Sequence, residues 1–262
     1  MHRNLTRPCG WAFCRALRGD WTEKMRSILA PALCALALSP ALNARAAAEG
    51  PVATAPSERA PAAAPADPEA SYQALLAEAK ASAPYADWQG LRMAFAERPT
   101  FKLTGQDVMK GQMFKAVEAA DCATALTQAK AVITEAFVDA DAHLVAAYCD
   151  EKAGDGAGAT LERDIGLGLL KSIETGDGLS PASPFTVIDV DEEYALIRAK
   201  GLKVTGQALM QQGGHSYDAI TALDGKGESA TYYFLVDRVL AAEAKLMTPG
   251  AVSEGGPPGR SP

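Results

Sequence analysis

From Tyr72 onward the apolar residues recur at helical steps, and the runs are punctuated by glycine, proline and aspartate. Tyr72, Leu75, Leu76 and Ala79 form one face of a first helix, which opens on Asp67-Pro68, a capping acid followed by a proline in the first turn. Pro84 closes that stretch. A short second helix follows from Asp87 with Trp88, Leu91 and Phe95 on one side, and Pro99 ends it. A third, from Thr104 or Gly105, carries Met109, Met113, Val117 and Ala120. Cys122, Leu126, Ala129, Ile133 and Phe137 mark a fourth. Val138, Ala142, Val145 and Cys149 mark a fifth, with the link near Ala136–Ala140. After Gly154-Asp155-Gly156 a sixth helix runs over about 157–173, with Leu161, Ile165, Leu169 and Ile173 inward. Helices joined by short links predict a stack of antiparallel hairpins, TPR-like in shape but without a clean 34-residue repeat.

The period changes after the segment Glu174–Tyr194, where Gly176-Asp177-Gly178 leads through two prolines to Phe185–Val190, a run of strand composition. Asp191-Glu192-Glu193 opens a short helix, with acids in the turn where the macrodipole favours them. Three extended runs follow, over about 202–211, 215–223 and 229–240, the last turning helical at Val239–Leu246. Gly213-Gly214 and Asp224-Gly225-Lys226-Gly227 separate them as hairpin turns. The expected class is α+β: helices over 69–174, then a small antiparallel β-meander within 175–247, packed with the helices as one unit.

The ends of the chain are of a different kind. Arg26 and the apolar run Ile28–Leu42, about 15 residues long, followed by Ala44-Arg45-Ala46, form a signal peptide starting at Met25. Residues 1–46 are therefore a targeting region, and the apolar run is too short to span a bilayer. Residues 47–68, rich in Ala and Pro, and 248–262 lack the large apolar side chains needed to offset ordering entropy, so they are expected to be disordered. The chain is then periplasmic or secreted, with no stable membrane span after cleavage. Loss of residues 1–46 reduces the 25 basic and 32 acidic side chains to 18 and 30, a formal charge of −12. Such a surface repels phosphate backbones, which excludes nucleic acid as a partner.

Of five cysteines, only Cys122 and Cys149 lie in the folded part. They are equidistant from the link between the fourth and fifth helices, and both sit on inward stripes. In an oxidising compartment that placement predicts a disulfide. The spacing is not the C-x-x-C of a redox pair.

Candidate chemistry is sparse. Gly176-Asp177-Gly178 offers a carboxylate and backbone carbonyls, but one aspartate is too few for calcium, and the same residues suit a turn. His143 has Ala147 at i+4, so H-x-x-x-H is missing, and with only His143 and His215 left a histidine zinc site is excluded. Gly166-x-Gly168 lies inside a helix and is no dinucleotide fingerprint. The acids Asp189, Asp191, Glu192 and Glu193 read as caps and solvated charge. No G-x-S-x-G elbow occurs, and no metal or cofactor is expected.

Several short motifs agree in order: Asp87-x-x-x-Leu91-Arg92, Ala142-His143, Gly176-Asp177-Gly178, Phe185-x-Val187-Ile188, Glu192-Glu193-Tyr194, Tyr217-Asp218 and Tyr232-x-Phe234. In this they resemble the domain of unknown function 4919 family, uncharacterised exported bacterial proteins, over about residues 69–238. Thr175 stands where Ser is expected before Gly-Asp-Gly. The resemblance implies no particular activity.

The functional reading is a non-enzymatic exported binding or scaffold module that offers a helical surface to a protein or peptide, with Trp88, Met109 or Met113 in an exposed groove. The alternative is a hydrolase-like enzyme or ligand site at the helix–sheet junction, built from Arg92, His143, Asp177 and Tyr194 as acid, base or anion clamp.

Overall fold

The computed structural model describes residues 67–101 and 107–247. The targeting region, nearly all of the Ala/Pro-rich linker, the tail and the expected helix start at Thr104 or Gly105 lie outside the described residues. The helices are α1 (Pro68–Ala81), α2 (Trp88–Glu97), α3 (Asp107–Glu118), α4 (Cys122–Glu135), α5 (Ala140–Ala153), α6 (Gly156–Ile173), α7 (Val190–Ala199) and α8 (Asp237–Met247). The strands are β1 (Phe185–Thr186), β2 (Lys203–Gln212), β3 (His215–Leu223) and β4 (Ser229–Leu235). The class is α+β, helices first and sheet second.

Six of these helices open on an aspartate, Asp67, Asp87, Asp121, Asp139, Asp155 and Asp189, whose carboxylate accepts a backbone N–H of the first turn. Each satisfies a donor that the helix cannot pair internally and meets the positive end of the dipole. Much of the acidic excess is therefore helix punctuation.

Helices adjacent in sequence pack against one another along α3–α4–α5–α6, and α2 closes onto α6. The contacts are made by small residues. Ala125, Ala129 and Val132 are fully buried on α4, with Cys122, Leu126 and Ile133 only partly covered. Ala129 and Phe137 of the predicted stripe are buried as expected, while Ala125 and Val132 take the places expected for Leu126 and Ile133, because alanine carries little hydrophobic signal yet permits close approach. Leu161, expected inward, is half exposed, while Gly166 and Leu170 face the core instead. Ala120 is not helical: it turns out of α3 with φ 56° and is exposed.

The sheet has the order β1-β4-β3-β2. The expected antiparallel meander is β2-β3-β4, but β1 joins it parallel to β4, with Phe185 opposite Phe234. Only Phe185 and Thr186 of the predicted run are strand. Val187 and Ile188 are buried beyond it, and α7 starts at Val190. The third run turns helical at Asp237, two residues earlier than expected. One apolar core runs from Tyr72 on α1 through α5 and α6 to Ile220, Phe234 and Val239 of the C-terminal part.

The turn at Gly176–Gly178 shows why glycine stands there. Gly178 has φ 72°, and a Cβ on it would lie 2.3 Å from the Phe185 ring. Its carbonyl accepts from Tyr233 N at 2.7 Å, which docks the loop onto β4. Gly178→Ala is expected to cost about 2–3 kcal/mol, combining left-handed strain with overpacking. Gly214→Ala, at φ 85° with open space around it, should cost about 1 kcal/mol. Urea denaturation of both variants checks the difference, and equal losses would show that the Phe185 contact is unimportant.

Candidate functional site

The most heavily charged part of the interior lies where α3, the α4–α5 link and α7 meet. Lys110 is on α3, and its Nζ is 2.8 Å from Asp139 Oδ2, 2.8 Å from Asp191 Oδ2 and 3.7 Å from Asp141 Oδ2. Asp139 comes from the link, where its other oxygen caps α5 through Ala142 N at 2.8 Å. Asp141 also accepts from Arg198 of α7 at 2.5 Å. Burial alone pulls the Lys110 ammonium toward its neutral form. The charges of Asp139, Asp191 and Asp141 outweigh this and hold it well above the usual lysine range. Lys110 is therefore a fixed cation and no nucleophile.

The carboxylates around it divide by environment. Burial pushes Asp141 up, against the pull of Arg198 and Lys110. Burial acts upward on Asp191 too, but Lys110 brings it below the usual carboxylate range. Asp189 is pushed up to about 7 by burial and by the charge of Asp191. A cavity of ≈ 50 Å³ lies beside these groups, walled by Phe95, Phe101, Val138 and Ile188 among others. Its size suits water or a very small ion. Asp107, Asp141 and Asp189, three carboxyls of its wall, are all held above the usual carboxylate range by burial.

Behind this cavity Arg92, fully buried on α2, makes a bidentate pair with Glu192: Nε donates to Oε1 at 2.7 Å and Nη2 to Oε2 at 2.5 Å. Nη2 also donates to Thr186 O at 2.9 Å and Nη1 to Ser172 Oγ at 3.1 Å. Glu192 Oε2 accepts from Ile188 N at 2.9 Å. One guanidinium thus joins α2, α6, β1 and α7.

The other candidates lie apart from this centre. His143, fully buried on α5, has Nδ1 2.5 Å from Glu162 Oε2 and Nε2 2.8 Å from Phe137 O, with its ring edge-on to Phe137. Asp177 is exposed and accepts from Leu179 N at 2.8 Å within its own turn. His143 and Asp177 share no hydrogen-bond partner, and neither lines the cavity. Tyr194 OH donates to Gln207 Oε1 at 2.5 Å, and Gln207 Nε2 donates to buried Asp218 at 2.8 Å, a polar chain from α7 to β2 and β3. Sequence reasoning singled out Arg92 but missed Lys110, Asp139 and Asp141. Asp139 carried a signal, being an acid directly ahead of a helix, while nothing local distinguished Lys110 from the other lysines. Among the described residues no group of three His, Cys, Asp or Glu is placed to hold a metal. None of the described helices is long and apolar enough to cross a membrane.

A second feature is an open groove of ≈ 550 Å³ between the start of α2 and the outer side of α6. Trp88 lines it, and its indole lies so close on α6 that a Cβ at Gly168 would sit 2.2 Å from Nε1. Asp87, Asp164 and Lys171 are also on its walls. Tyr85, between the lining residues Pro84 and Ala86, is 88% exposed. Met113, by contrast, is wholly buried, and neither Met109 nor Met113 lines the groove.

The helical layer with its appended sheet, joined through buried ion pairs, defines an α+β protein. The family model of a domain of unknown function (DUF4919) matches residues 99–245, more than half of the chain, and the chain belongs to that family. The match starts at Pro99, so the Asp87–Arg92 motif lies ahead of it, although Arg92 binds Glu192 inside it. No curated protein and no solved structure matches the chain.

Arg92→Ala leaves Glu192 without its cation and is expected to destabilise by about 3–5 kcal/mol. Arg238→Ala, at a half-exposed pair with Glu97, should cost under about 1 kcal/mol. Chemical denaturation at neutral pH measures both. Asp189 binds its proton more tightly when folded than when unfolded. Its contribution is thus fully present below about pH 4 and is lost as pH rises through about 7. Asp189→Asn can keep the cap and escapes that loss, so it should match wild type at pH 4. At pH 8 it should be more stable, by on the order of 1–2 kcal/mol. A gain that does not change with pH would disprove this account of Asp189.

Proposed function

We propose that the protein is an exported, non-enzymatic binding module whose recognition surface is the groove beside Trp88. The observation that carries this reading is the open ≈ 550 Å³ groove walled in part by the largely buried Trp88 indole, with an 88% exposed tyrosine between two of its lining residues. An exposed aromatic beside a wide groove is the anchor geometry of peptide and protein recognition. Asp87 and Asp164 outnumber Lys171 there, so the partner segment carries an apolar or aromatic side chain together with a positive charge. The chain acts after removal of residues 1–46 in the periplasm or outside the cell. There, Cys122 and Cys149, whose sulfurs face each other 2.7 Å apart across the α4–α5 hairpin, form a disulfide that contributes roughly 2–4 kcal/mol. As a thiol Cys149 would be a poor nucleophile, since burial and the neighbouring Cys122 push it far up.

A second reading places a small-ligand or hydrolase-like site at the helix–sheet junction. The observation in its favour is the cavity beside Lys110 with Asp189 at about 7, rather than the His143–Asp177 pair. It requires a turnover or a ligand-induced stability gain that Asp189→Asn abolishes without loss of fold.

Cross-linking in the native periplasm, followed by mass spectrometry of what is recovered with the tagged mature protein, tests the leading reading. One recurring partner is expected, lost at least about tenfold in Tyr85→Ser and in Gly168→Ala; recovery of the protein alone overturns it. Trp88 is the only tryptophan left after residue 46, so its emission should shift when the partner binds. Thiol titration of denatured, unreduced mature protein should find no free thiol, and two per chain would rule out the disulfide.

A further inference from the structure

We propose that β2 is a self-association edge, at which a second copy of this chain pairs antiparallel to make one continuous eight-stranded sheet. This inference does not depend on the groove. The strand order β1-β4-β3-β2 leaves β2 outermost, and among the described residues no element pairs with its free side. At ten residues β2 is the longest strand of the sheet, about 33 Å at the usual rise. Nearly all of it is exposed, and Leu209 is 42% exposed. An uncovered edge of that length presents a row of unpaired N–H and C=O groups, and native proteins commonly blunt such edges with charge, proline or shortness. β2 has no proline, and its one charged residue is Lys203 at the start, ahead of the bulge between Val204 and Gly206.

Charge selects the occupant. The mature chain carries a formal −12, so most approaches of one copy to another bring carboxylates together. Residues 204–212 contain no charged side chain, and two copies can meet there without desolvating an ion or opposing like charges. The strand is also self-complementary about a two-fold axis at Leu209. Leu209 meets its own copy, Gln207 lies opposite Gln211, and Ala208 lies opposite Met210. Residues paired in this way share a face of the sheet and sit roughly 5 Å apart at Cβ, so the apolar Leu209 is covered, while Gln207 keeps its own bonds to Tyr194 and Asp218. The resulting interface is isologous and closed, which limits assembly to two chains.

Sedimentation equilibrium of the mature protein, with residues 1–46 removed, tests this across protein concentration. The weight-average mass is expected to rise to twice the monomer value at high micromolar concentration. Leu209→Asp puts two carboxylates on the two-fold axis and is expected to stay monomeric throughout. Because Leu209 lies opposite Asp218 of β3, it is paired with Leu209→Lys, which also places like charges on the axis but meets Asp218 with opposite charge. Leu209→Lys should be monomeric with unchanged circular dichroism. Hydrogen exchange should show the outward-facing β2 amides, those not bonded to β3, protected in wild type at high concentration and unprotected in Leu209→Asp. A wild type that remains monomeric at about 100 μM, or a dimer that survives Leu209→Asp, overturns the proposal. Either result leaves the groove reading untouched, since that is read by the cross-linked partner and the Trp88 signal.

Discussion

Two buried cations hold the halves of this protein together. Lys110 and Arg92 stand on helices of the N-terminal layer, and their partners Asp191 and Glu192 stand at the start of α7, which leads into the sheet. An ion in an apolar interior costs several kcal/mol unless opposite charge and hydrogen bonds surround it. Each cation therefore specifies where α7 must lie relative to the helices, since displacement of α7 would strand an ion rather than merely loosen a contact. Arg92 does this through four donor contacts to three partners, Glu192, Ser172 and Thr186. Lys110 does it through carboxylates from two separate elements.

The small cavity lies beside the same groups. The groups surrounding Lys110 are too well paired to rearrange, while Asp189 and Asp191 repel each other and one of them stays partly protonated near neutrality. The junction is thus a rigid, high-cost region. The groove beside Trp88 and the outer edge of β2 lie elsewhere, on surfaces where aromatic, apolar or unpaired backbone groups meet water.

Much of the helical layer could be read from the chain because its signals are local. Aspartates before apolar runs, Pro68 in a first turn and Gly154 after α5 each act within a few residues, and the hairpin glycines of the sheet do the same. The readings that failed depended on what came from elsewhere. Leu161 has helical spacing but faces solvent, because α5 packs against the Gly166 side of α6. The run ending at Val190 reads as a strand, yet only its first two residues find an edge to pair with, on β4. Of the four candidate site residues, Arg92 reaches the charged junction, Tyr194 binds the sheet, and His143 and Asp177 have separate partners.

The sequence by itself determined the order of helices and strands, their capping residues, the placement of the two cysteines opposite each other and the family. Each of these rests on neighbours along the chain or on a symmetric count from a turn. Tertiary structure alone decided that Lys110 would be a buried counter-ion, that β1 would join the sheet in parallel, and that Trp88 would line an open groove. Those outcomes come from residues 29 to 81 positions apart, brought together only when the layers pack. A side chain's charge or apolarity is written in the sequence, but the partner that gives it a role is fixed by packing.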